Sequence, residues 1–186
     1  MHYKDLTCYR ENLGSNHCLI YPQLVNIGWL DRGVPFKRGT VREEIVQKLK
    51  KIITMEANKT KDKSIKKPVN FHWGFVRSIF PCPFCPLDIA EISICNKNTK
   101  KRFMLGVNQV FIPSRIKKRF FNFPTLIYHY VVEHGYVPPV VFQESVLDFN
   151  LKGKWDGERA LGHLISNKIL LQEADTFNVY PEKQGF

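Results

Sequence analysis

Nowhere in these 186 residues do apolar side chains run on for the roughly 18 positions that a membrane helix needs, so a spanning helix is excluded. The opening MHYKDLTCYRENLG has no apolar run behind a basic start, and a soluble, cytoplasmic protein without an export signal is expected. An even cysteine count is missing too: with 5, complete internal disulfide pairing is excluded, and a reducing compartment fits better. There is no glycine-rich phosphate loop, no G-x-S-x-G elbow, no pair of acids at a telling spacing and no internal repeat. What is present is the composition of a folded chain, 44% hydrophobic and 13% aromatic, far from the low hydrophobicity and high net charge of disorder.

Acidic residues are scarce, 17 against 28 Lys and Arg, and the formal charge of +11 favours acidic partners such as nucleic acid, anionic lipid or an acidic protein surface. The excess is polarised. Residues 120–186 hold 5 basic and 8 acidic side chains, a balance of −3, so residues 1–119 carry +14. One basic cluster runs from Lys59 to Lys67, a second from Lys97 to Arg119. The second interleaves Lys100, Lys101, Arg102, Arg115, Lys117, Lys118 and Arg119 with Phe103, Phe111, Phe120, Phe121 and Phe123. Cations in such a segment neutralise phosphates, and its rings stack on bases if they are exposed. A solvated lysine face with its phenylalanines turned inward is the plainer reading of the same pattern.

Hydrophobic periodicity predicts an α+β fold. Cys18 to Leu30, interrupted by Pro22, reads as one or two short strands. Thr40 followed by Glu43 forms a capping box, and Val41, Ile45, Leu49, Ile52 and Ile53 then recur at helical spacing to about Ala57. The polar, charged 58–68 stretch reads as a basic loop. Asp88 to Cys95 and Arg102 to Ile112 read as a hairpin. A helix over Leu126 to His134 closes at Gly135, a second begins at Pro139 and runs to Leu147, and a third covers Gly157 to Gln172. TFNVYP near the end has strand character. We expect one domain over 1–150 and a helical extension over 151–186.

Cys82-Pro83-Phe84-Cys85 is a C-x-x-C pair in a proline-rich turn, the spacing at which two thiolates converge on one tetrahedral ion. The order knuckle, hairpin, helix then supplies His129 and His134 to complete a Cys2His2 set. Two features strain the assignment: the spacer from Cys85 to His129 is long, and histidines five apart lie roughly 140° apart on an ideal helix. Gly135 allows the last turn to distort, and His72 is a competing ligand. A redox role for the pair would want a helix opening at the knuckle, which Pro81, Pro83 and Pro86 oppose. His129 to His134 has one residue too many for the H-x-x-E-H metallopeptidase motif. A Cys–His nucleophile remains a second use of the same side chains.

The blocks Asn26-Ile-Gly-Trp-Leu-Asp-Arg-Gly-Val-Pro-Phe36, Cys82-Pro-Phe-Cys85 and Leu126-Ile-Tyr-His-Tyr-Val-Val-Glu-His-Gly-Tyr-Val-Pro-Pro139 together resemble a family of small uncharacterised bacterial proteins, a domain of unknown function, over roughly Met1 to Leu147. The resemblance implies no activity. It directs attention to Gly28, Trp29, Pro35, Phe36, Tyr136 and Pro138 beside the four metal candidates. The expected protein is therefore an α+β domain, centred on a knuckle, hairpin and helix, that holds a structural zinc and acts as a binding or regulatory module on nucleic acid or another acidic partner. A metal- or thiol-dependent hydrolase and an immunity-type protein are the alternatives.

Overall fold

Two stretches of extended chain, Cys8–Gly14 (β1) and His17–Asn26 (β2), pair antiparallel in the computed structural model. It describes residues 3–14, 17–54, 81–86, 92–95, 100, 102–152, 155 and 157–172. Pro22 does not divide β2. The register instead jumps, Tyr9 facing Tyr21 and Cys8 facing Val25, so Pro22 sits in a bulge where the ladder does not ask for its missing N–H.

The predicted strand over Arg102 to Ile112 is broken at Gly106, whose φ of +83° only glycine adopts freely. Ser93–Cys95 (β3) pairs with Arg102–Met104 (β4) as the expected hairpin, while Gln109–Pro113 (β5) belongs to the main sheet. There it meets Phe120–Pro124 (β6), a strand the sequence reading did not anticipate. β6 runs parallel to β2, which gives the order β1-β2-β6-β5.

The first helix, α1, spans Glu43–Thr54 and turns Ile45, Val46, Leu49, Ile52 and Ile53 inward. It starts two residues later than the capping box predicted, with the Arg42 carbonyl accepting the Val46 N–H at 3.2 Å. Ile127–His134 (α2) and Val140–Asp148 (α3) follow as expected, and both contact α1. Gly157–Ser166 (α4) is shorter than predicted, because Ile169–Gln172 leaves the helix and pairs with β2 as β7. The run Ile-Leu-Leu satisfies either period, and the exposed edge of β2 takes it up. The 58–68 loop, the strand start at Asp88 and TFNVYP lie outside the described residues.

Strand alternation sorts the core into two layers. Val110, Ile112, Phe121 and Phe123 face the cluster that contains the buried sides of α1, α2 and α3, whereas Tyr21, Leu24 and Phe111 face Leu164 of α4. The helical layer is closed against the N-terminus by a buried polar tie. The Tyr136 hydroxyl donates to Asp5 Oδ2 at 2.6 Å, and the Gly28 N–H donates to Asp5 Oδ1 at 2.8 Å. Tyr136 is 1% exposed, and burial followed by the Asp5 charge raises its pKa, so the phenol remains a donor. Tyr136→Phe will therefore remove a hydrogen bond to a charged group and cost about 1.5–3 kcal/mol in urea unfolding; an unchanged midpoint would show the tie to be energetically idle.

Candidate metal centre

The segment 82–85 is a turn held from three sides. Phe84 packs its ring against Phe36 at 5.2 Å, His134 at 5.3 Å and Tyr130 at 5.8 Å. The Arg32 guanidinium, carried on the Asp31-Arg32-Gly33 turn, donates to the carbonyl oxygens of Pro83 and Cys85. Sequence reasoning took that turn only as the end of a strand; an arginine donating across the fold leaves no local pattern that would have revealed it.

His129 and His134 come from α2, and the expected angular mismatch is relieved at the helix end. The amides of Gly135 and Tyr136 both reach back to the Tyr130 carbonyl, five and six residues earlier instead of four. The last turn is thereby widened and carries His134 round toward His129. Gly135, at φ +65°, supplies the left-handed residue that this exit needs.

Four donor atoms converge. Cys82 Sγ lies 3.2 Å from His134 Nε2, Cys85 Sγ lies 3.2 Å from His129 Nε2 and 3.5 Å from His134 Nε2, and the two Nε2 atoms are 3.1 Å apart. All four are within 4.8 Å of one another and could hold a metal ion. Bonds of about 2.3 Å to sulfur and 2.0–2.1 Å to nitrogen at tetrahedral angles imply donor separations of roughly 3.3–3.8 Å, close to those observed. Without a metal one Nε2 can donate its proton to the other; a cation would instead take both Nε2 lone pairs at once, together with the two sulfurs.

The local electrostatics favour neutral donors before a metal arrives. Burial pushes the Cys82 thiol up to about 11, against smaller opposing contributions from the Phe84 and Cys85 amides. Burial, then His134, lowers the His129 pKa; burial likewise leads the lowering at His134, with Arg38 adding to it. Both imidazoles are therefore ready to ligate near neutral pH, whereas the Cys82 thiol would have to give up its proton to a metal ion. His72, the competing ligand, lies outside the described residues.

A family model described as a domain of unknown function, DUF7919, matches residues 1–147, nearly four-fifths of the chain and all four donors. The chain belongs to this family. No curated protein and no solved structure matches it. The DUF7919 match ends within the last turn of α3, so α4 and β7 lie beyond it.

The basic candidates of the DUF7919 domain do not gather on the metal centre. Lys100, Arg102, Lys117 and Lys118 are exposed, Arg119 is half-buried, and Lys101 is outside the described residues. Arg115 is tied to Glu144 at 2.8 Å and Asp148 at 2.5 Å. Phe111 and Phe121 are 4% and 1% exposed and belong to the core, which removes them as stacking platforms. The alternation that suggested interleaved rings is the signature of strands with one face on each core layer. Among the described residues no helix is long and apolar enough to cross a membrane.

Proposed function

We propose that this DUF7919 domain is a zinc-stabilised binding or regulatory module of a reducing, cytoplasmic compartment, with Cys82, Cys85, His129 and His134 as the ligands of one structural zinc. The convergence of two sulfurs and two Nε2 atoms carries the reading. Soft thiolates with imidazole in a tetrahedral set select zinc over the harder divalent cations. Four protein donors fill that set and leave no place for the water that a metal hydrolase activates, which supports a structural role. Elemental analysis of protein purified without added metal is expected to give one zinc per chain, and none from a Cys85→Ser, His129→Ala double variant. A native preparation empty of zinc, or filled equally well by magnesium, would reject the assignment. The residues beyond Asp148 we read as an addition to the family domain.

An acidic partner is the second reading, favoured by the exposure of Lys117 and Lys118 in the turn between β5 and β6. With Phe111 and Phe121 in the core, the recognition would be electrostatic and indifferent to sequence. Fluorescence titration of single- and double-stranded nucleic acid should show affinity that falls steeply between low and moderate salt, and that is lost when Lys117, Lys118 and Arg119 become Glu. Binding unaffected by that triple change would count against this face.

A further inference from the structure

The two sulfurs of the metal centre are not equivalent. Cys82 is 4% exposed, and its Sγ accepts the Phe84 N–H at 3.4 Å. Cys85 is half-buried and lines a cavity of about 500 Å³ whose walls include Ile92, Ile94, Leu105, Val132 and Tyr128. A hydrogen bond into a ligating sulfur draws off part of its charge and blunts it as a nucleophile, and burial denies it a reagent. Cys82 is held back on both counts, while Cys85 meets an open cavity with room for a small molecule, apolar along Ile92, Ile94, Leu105 and Val132 and polar at Ser93, Tyr128 and Glu133.

We propose, resting on the zinc centre assigned above, that Cys85 is the nucleophile of a covalent acceptor site for small, neutral α,β-unsaturated carbonyl compounds with apolar substituents. The Cys85 thiolate sulfur forms a bond to the β-carbon, the C=C π pair moves onto the carbonyl oxygen as an enolate, and the α-carbon then takes a proton from water. There is no leaving group and no change of oxidation state beyond the addition, so no further reagent is needed. Ile92, Ile94, Leu105 and Val132 offer the substituent an apolar wall. Tyr128, on the wall of the same cavity as Cys85, carries a phenol O–H that can donate to the enolate oxygen. Glu133, also on the cavity, disfavours anionic reagents. The adduct turns an anionic ligand into a neutral thioether, so addition also loosens the metal.

The experiment uses the full chain carrying Cys95→Ser, which removes an exposed thiol, with its zinc content assayed first. Brief exposure to N-ethylmaleimide and fragment-ion mapping should place the adduct on Cys85 at least about tenfold ahead of Cys82. Tyr128→Phe should slow that addition several-fold and leave unchanged the reaction with iodoacetamide, which passes through no enolate. Cys82 labelled first, Cys85 inert in a chain that holds zinc, or Tyr128→Phe slowing both reagents alike would each overturn the proposal. A chain that holds no zinc at the outset overturns the metal centre itself, and the prior assay makes that failure recognisable.

Discussion

Removing the metal is expected to unfold the domain, not merely to vacate a site. Cys82 lies in the main hydrophobic cluster, and Phe84, two residues on, is packed between Phe36, Tyr130 and His134. An ion held by the four donors would therefore pin the knuckle to α2, whose Ile127 and Tyr130 are buried in the core. Structural zinc contributes an apparent 10–16 kcal/mol or so in small modules, against a net stability of about 5–15 kcal/mol for whole domains. A strong chelator should accordingly abolish the cooperative thermal transition followed by circular dichroism, and Cys82→Ser should reproduce that loss without chelator. Cys95→Ser, an exposed thiol outside the cluster, serves as the control and should melt as the native chain does. Unchanged melting in protein shown by analysis to have lost its metal would leave the centre without a structural role.

Phe142→Ala should be the most damaging single truncation in the helical layer. The side chain is fully buried, with edge-on ring contacts to Phe121 at 5.5 Å and Phe123 at 5.1 Å. It is the point at which α3 grips β6, and β6 in turn joins β2 to β5. Loss of a buried phenylalanine typically costs about 3–5 kcal/mol, transfer and cavity combined, and two aromatic pairs are lost with it. Denaturant unfolding should show that shift in midpoint at constant slope. Phe142→Leu, which keeps most of the volume, should recover more than half of it. A cost below about 1 kcal/mol would mean that α3 is held chiefly by its other contacts.

The sequence made some of this legible and hid the rest for physical reasons. α2 and α3 were readable because Gly135 and Pro139 punctuate them, and the convergence of Cys82, Cys85, His129 and His134 because thiols and imidazoles at those spacings have few other shared uses. β1 was missed: Cys8–Gly14 mixes charges with aromatics and earns its place only through pairing with β2. β6 was missed because Phe120 to Pro124 runs straight into a helix start, so the proline claimed the whole segment. The break at Gly106 had a local signal in the glycine itself, whereas the departure of β7 from the α4 pattern is a tertiary choice, made by the edge of β2 and not by local propensity. Arg32, reaching the knuckle carbonyls from another turn, belongs with β7.

The parallel pairing of β2 with β6, Leu24 beside Phe120 and Val25 beside Phe121, has a bearing on how fast the chain can find its fold. The two strands come from opposite halves of the sequence, and no hairpin or short crossover delivers one to the other. Pairings of such long separation charge their loop-closure entropy before returning any contact, which places the domain among slow folders. The knuckle lies between these strands in sequence, and α2 follows β6 directly. An ion that joins Cys85 to His129 early shortens the effective loop to be closed, so refolding should accelerate with zinc present from the start and lag when zinc is added only after collapse.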